Sequence, residues 1–212
     1  MAELQKLHDA IMSGDTKTAV AVTREALAEN VDPMELIRQY MIPAMDEVGR
    51  LFQCEEYFVP ELLLAARAMK GSLELIRPLL AASGRQPTGR VVIGTVKGDL
   101  HDIGKNIVAS MLEGGGFDVI DLGADVAPER FVEAIQRSNA NLVCLSALLT
   151  VTMPSMRTTI EALKQAGVRE RVKVLVGGAP VTRQFAQQIG ADGYSESAPG
   201  AVTLARQIIA AL

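Results

Sequence analysis

Apolar residues in the first 84 positions recur at helical spacing, with almost no strand-like alternation. Leu4, Leu7, Ile11 and Met12 form a first stripe that ends at Ser13-Gly14. Asp15 then stands where an N-cap is needed for a second helix carrying Ala19, Val22, Ala26 and Leu27. The run Asp32-Pro33-Met34-Glu35 combines an N-cap, a proline at the first helical position and a carboxylate at N3, so it opens a third helix. Leu36, Ile37, Met41, Met45 and Val48 supply that helix with an apolar face, and Pro43 inside it predicts a kink. A fourth helix is expected from Phe58-Val59-Pro60-Glu61 through Leu63, Leu64, Ala66, Met69, Leu73 and Ile76. Four helices with short connections read as a small bundle.

The period changes at Val91. Strands are expected at 91–96, 117–122, 142–147, 172–176 and 192–194, with helices between them near 104–114, 128–138, 154–166, 181–189 and 199–211. Pro128, Pro154 and Pro199 each sit where a helix should begin. Alternating strands and helices build a parallel sheet with helices on both faces, and right-handed crossovers favour the flavodoxin-like order 2-1-3-4-5. The stretch before it, 81–90, is polar and rich in turn formers. The expected organisation is therefore α/β: a four-helix bundle over 1–84, a linker over 85–90, and a Rossmann-like five-stranded sheet over 91–212.

Composition narrows the function. The chain has 212 residues, 49% hydrophobic and 22% charged, with only 4% aromatic, so it expects a globular fold with an aliphatic core. A net charge of −4 argues against a phosphate-backbone partner, so no nucleic acid is expected. No apolar run approaches the roughly 20 residues of a membrane span, and the N-terminus lacks a signal-peptide core. Cys54 and Cys144 lie in apolar surroundings and have no CxxC or Cys/His neighbour; this favours a reduced, cytoplasmic chain and gives no support for zinc.

The first strand of the sheet runs into Lys97-Gly98-Asp99-Leu100-His101-Asp102-Ile103-Gly104, a loop that sets one of only two histidines between carboxylates. Open α/β sheets bind ligands at the carboxyl ends of strands where the winding direction changes, here between strands 1 and 3. The loop therefore faces Ser146-Ala147-Leu148-Leu149-Thr150-Val151-Thr152, with Gly177-Gly178 and Tyr194 on the same edge. A receiver domain would need Asp where Ser146 stands, and Asp99 and Asp102 would repel an anionic phosphate. An imidazole backed by a carboxylate suits a cation, because a ligating His commonly donates its second ring N–H to an acid. Plainer readings remain open. His101 could help cap a helix, Ser146 and Thr150 could satisfy strand-end backbone groups, Thr152 could cap the following helix, and Gly177-Gly178 could be turn chemistry. Phe52 and Val59 read as core, Met34, Met41, Met45 and Met69 as core filler, and Glu55-Glu56 and Arg169-Glu170-Arg171 as solvated surface.

Asp99-x-His101-x-x-Gly104, Ser146-x-Leu148 and Gly177-Gly178, at these separations, resemble the signature of cobalamin-binding domains. The longer string from Thr95 to Asn106 is similar to the methyl-transferring branch, the corrinoid proteins of methyltransferase systems and cobalamin-dependent methionine synthase. Met45 to Gly49, Leu51-Phe52 and Phe58 to Lys70 resemble the helical cap of the same proteins. The resemblance implies a carrier that binds cobalamin (as methylcobalamin or cob(I)alamin, or a related corrinoid) with its lower base displaced. His101 would be the axial cobalt ligand, Asp99 would hold the imidazole, and Thr152 would extend that relay. Asp102, Gly104, Ser146, Leu148, Thr150, Gly177, Gly178 and Tyr194 would line the site and the nucleotide tail, while Phe52 and Val59 of the cap would shield the methyl group. The implied partners are a substrate:corrinoid methyltransferase, a second methyltransferase passing the group to tetrahydrofolate or a thiol, and a reductive activation protein. The rival classes are the cobalamin-binding subunit of an adenosylcobalamin-dependent isomerase and a cobalamin sensor or storage protein. A helical cap would crowd an adenosyl group, and no basic or DNA-reading stretch supports a transcriptional sensor.

Overall fold

The computed structural model describes residues 3–82 and 88–211. Residues 85–87 of the expected linker and 83–84 at the end of the expected bundle lie outside them. The described residues form two compact units, one of residues 3–82 with 110–116, the other of 88–109 with 117–211.

The helical unit begins with α1 (Leu4–Met12) and α2 (Thr16–Ala28), and Asp15 caps α2 by accepting the N–H of Thr18 at 3.1 Å. Asp32 caps the short α3 (Pro33–Glu35) through Met34 N–H. The expected irregularity around Pro43 takes the form of a π-helical stretch, Leu36–Met41, after which α4 (Ile42–Gln53) resumes. Proline lacks the N–H that an α-helix would use and crowds the carbonyl four residues back. A wider turn before it relieves both problems. α5 (Val59–Ala82) starts where Glu61 accepts the N–H of Phe58 at 2.9 Å, and it contains a second proline, Pro78.

Met41, Met45 and Met69 are buried core filler, as expected. The expected stripe of α5 holds at Ala66, Met69, Leu73 and Ile76 and is corrected at its start. Leu62 and Ala65 are buried, whereas Leu63 and Leu64 are exposed, because five consecutive apolar residues leave the helical phase ambiguous from sequence. Cys54 is also corrected: it is exposed past the end of α4, and only Cys144 is buried.

The second unit is a five-stranded parallel sheet in the order β2-β1-β3-β4-β5. Its strands are β1 (Arg90–Thr95), β2 (Asp118–Asp121), β3 (Leu142–Ser146), β4 (Lys173–Gly177) and β5 (Gly193–Tyr194). The connecting helices are α6 (Ile103–Gly114), α7 (Pro128–Ser138), α8 (Met153–Gln165) and α9 (Arg183–Ile189), and α10 (Ala198–Ala210) closes the chain. Strand alternation sends Val92, Val143, Leu145, Val174 and Val176 to one face, where Phe131, Ile135, Met156, Ile160 and Leu163 of α7 and α8 cover them. The order and the element pattern match expectation. In the charged run at 169–171, Glu170 and Arg171 are exposed as expected, but Arg169 is not: it sits in a tight turn, bonds the carbonyls of Val172 and Gly190, and pairs with Asp192 at 2.8 Å.

Candidate cofactor-binding site

Register brings the key loops together. Thr95 pairs with Ser146 and Ser146 with Gly177, so β1, β3 and β4 end side by side. Beyond Thr95 the chain turns sharply: Asp99 N–H bonds the carbonyl of Val96 at 3.1 Å, and Gly98 lies at φ +86, a left-handed conformation that suits glycine. Thr95 Oγ1 donates to the carbonyl of His101 at 3.0 Å and folds the loop back on the strand.

Asp99 is fully buried, and both of its oxygens are engaged. Oδ1 accepts the backbone N–H of His101 at 3.1 Å and meets His101 Nδ1 at 2.8 Å. Oδ2 accepts the N–H of Leu148 at 2.7 Å, the N–H of Leu149 at 3.3 Å and the hydroxyl of Thr152 at 2.7 Å. Burial alone would push this acid up. The hydrogen bonds from Thr152, Leu148 and His101 outweigh it and hold the carboxyl well below the usual carboxylate range. A carboxylate cannot donate, so Nδ1 of His101 carries the ring proton and Nε2 presents its lone pair. The imidazole is about half exposed, 51% by side chain, and can offer that lone pair outward.

The other expected residues are placed as follows. Thr152 stands at the N-cap position of α8 yet makes no capping bond; its hydroxyl serves Asp99 and the carbonyl of Leu149. Leu148 contributes its backbone N–H to Asp99 while its side chain is exposed. Asp102 is half-buried and its carbonyl accepts the N–H of Asn106 within the first turn of α6. Gly104 is exposed, and a Cβ added there would meet nothing within 4 Å. Ser146 and Gly177 are half-buried strand ends, Thr150 is exposed, and Tyr194 pairs with Val176 at the end of β5. Gly178 is the tightest position: at φ +128, a Cβ there would stand 1.9 Å from the carbonyl oxygen of Ala147. Phe52, half-buried, and Val59, exposed, belong to the helical unit.

Sequence reasoning missed the backbone donor Leu149, and no residue type signals a backbone N–H fifty positions away. It also passed over Lys105, which is 3% exposed and paired with both oxygens of Asp121. A lysine inside the apolar phase of a helix, with an Asp closing the next strand, was the available signal.

The residues present fit a corrin. Among the described residues no group of three or more His, Cys, Asp or Glu could hold a metal ion. His101 offers one half-exposed nitrogen donor, which suits a metal that brings its other ligands, as one in a macrocycle does. Leu100 and Ile103 lie within two residues of His101, Val151 adjoins Thr152, and the three are 76%, 76% and 79% exposed, apolar surface of the kind a large planar ligand covers.

Comparison with known proteins agrees. Residues 89–203 and residues 3–77 match two protein families, each described as a B12 binding domain. Trimethylamine corrinoid protein 1 of Methanosarcina acetivorans is 45% identical over 97% of this chain and 96% of its own length. The structure of the methanol:cobalamin methyltransferase complex MtaBC from Methanosarcina barkeri superposes with a TM-score of 0.87 at 31% identity, covering 99% of this chain and 80% of the other. A cobalamin-binding protein from Desulfitobacterium hafniense gives 0.78 at 33% identity, covering 98% of both. Fold and site thus define a B12-binding protein. The chain belongs to the corrinoid proteins of methyltransferase systems, and its cofactor is cobalamin or a related corrinoid.

Proposed function

We propose that this protein is a cytoplasmic methyl carrier that binds cobalamin with the lower base displaced and His101 in its place. When bound, the corrin supplies a cobalt centre that can accept a methyl group and release it. The observation that carries the reading is the Nδ1 bond to a fully buried, ionised Asp99, which leaves the Nε2 lone pair available. Asp99 fixes the tautomer and ring direction, while Thr152 and the N–H groups of Leu148 and Leu149 keep Asp99 ionised and still.

The missing side chain at Gly178, together with Gly177, Ser146, Thr150 and Tyr194, supports a channel for the displaced nucleotide along the strand ends. Asp102 and Gly104 complete the rim on the His101 side. Phe52 and Val59 are assigned the shielding of the methyl group. One methyltransferase would load the carrier and a second would unload it to tetrahydrofolate or a thiol, with a reductive activation protein rescuing oxidised cofactor. The names of the relatives, a trimethylamine corrinoid protein and a methanol:cobalamin methyltransferase complex, support the methyltransferase partner.

The test is a titration with hydroxocobalamin followed by absorbance. The parent chain should bind with the spectrum of a histidine-ligated corrin, and His101→Ala should lose that spectrum and at least about tenfold in affinity. An unchanged spectrum and affinity in His101→Ala would overturn the axial assignment.

A further inference from the structure

The loop between β2 and α7 closes on the loop that carries Asp99 and His101, and one residue makes both bonds. Asp125 donates its backbone N–H to the carbonyl of Asp99 at 2.9 Å, and its carboxylate Oδ1 accepts the N–H of Gly98 at 2.7 Å. To do so it holds φ +53, a left-handed conformation unusual for a residue with a side chain, though one that Asp and Asn enter more readily than most.

The chain on either side is pinned to the end of β1. Thr95 N–H bonds the carbonyl of Gly123 at 2.9 Å, Val126 N–H bonds the carbonyl of Thr95 at 3.0 Å, and Val96 bridges Val126. At its base the loop is held by Asp121, which accepts Gly123 N–H at 2.8 Å and pairs with the buried Lys105. The exposed segment Lys97-Gly98, just before Asp99, is thus tied from outside by one carboxylate.

We infer that Asp125 is a positioning residue for His101, resting on the reading in which His101 ligates cobalt. Its backbone holds the main chain of Asp99, whose Oδ1 sets the direction of the ring, and its side chain fixes the turn that delivers Asp99. The carboxylate link to Gly98 is exposed, so its loss costs the fold little, while the backbone link to Asp99 is one that a change of side chain does not itself remove.

Two substitutions separate conformation from hydrogen bonding. Asp125→Gly accepts the left-handed backbone without strain but removes the carboxylate; Asp125→Asn keeps an acceptor oxygen and tolerates the same φ. In corrin-free, nitrogen-15-labelled protein, Asp125→Gly should speed exchange of the Gly98 amide about tenfold. It should also shift or broaden the His101 ring resonances while leaving the thermal midpoint equal or higher. Its affinity for hydroxocobalamin should fall about tenfold, the lower end of what losing a supporting group costs a metal site. Asp125→Asn should restore all three. His101 ring signals and affinity unchanged in Asp125→Gly, or no rescue by Asn in a folded protein, would overturn the inference. A shifted ring in Asp125→Gly beside a His101→Ala variant that binds hydroxocobalamin normally would uphold the positioning role and sink the axial-ligand reading instead.

Discussion

Asp99 has no exposure to solvent and still stays ionised, because N–H and O–H donors occupy both of its oxygens. An amide of the same shape cannot do this. One of its two ends would aim N–H groups at other N–H groups, either at Leu148 and Leu149 or at His101. Asp99→Asn should therefore lower the stability of the corrin-free protein by about 2 kcal/mol, the cost of leaving buried donors unpaired. Urea denaturation reads this directly, and an unchanged midpoint with an unchanged slope would show that the pocket supplies acceptors to the amide. The pairing of Asp99 with His101 was legible from two residues of separation. The rest of the cage was not, because its donors are main-chain groups delivered by a loop some fifty residues on. Thr152 was legible only as a helix cap or as a partner of Asp99, and its hydroxyl bonds Asp99 without capping α8.

At the scale of elements, the central strand β3 is the clearest case of sequence dictating structure. Leu142 to Leu145 are apolar without alternation, which marks a strand covered on both faces, and all four are buried. Cys144 lies within this strand, and burial pushes its thiol up to about 12. An unfolded thiol ionises near about 8.5. The folded state therefore keeps a proton that the unfolded state releases. The corresponding stability is complete below that value and is lost as pH rises from there towards 12. Cys144→Ala should lower stability by a roughly constant amount below pH 8 and show a shallower decline between pH 9 and 11. Urea midpoints measured across that range for both proteins check it, and parallel slopes would refute it. The start of α5 was the opposite case. Leu62-Leu63-Leu64-Ala65-Ala66 is apolar throughout, so periodicity could not say which of these face inward, although it placed Met69, Leu73 and Ile76 correctly. The π-helical stretch before Pro43 was legible as a disturbance, and its form depended on how the neighbouring turns could widen.

For the molecule as a whole, the change of hydrophobic period at Val91 announced two modules. What the linear pattern could not show is that α6 is shared between the two units, its residues from 110 onward grouping with the helices. Periodicity describes an element's faces, not its allegiance. Loading the cofactor tests whether the sheet unit is a preformed receptor. Its strand ends are held by the sheet register and the Asp99 cage by hydrogen bonds within the chain, so the site is ordered by the protein's own contacts. Ligand that binds only the folded state stabilises it by about 2.7 kcal/mol at one hundred times its dissociation constant. In a chain of this length that corresponds to a rise of about 5–10 °C in the thermal midpoint. Scanning calorimetry with hydroxocobalamin should show this rise for the parent protein. His101→Ala, compared at the same ligand concentration, should show a smaller rise, because the first tenfold loss in affinity takes about 1.4 kcal/mol from the stabilisation by ligand. A parent midpoint that does not move at saturating hydroxocobalamin would mean that the folded state seen here is not the one that takes up the corrin.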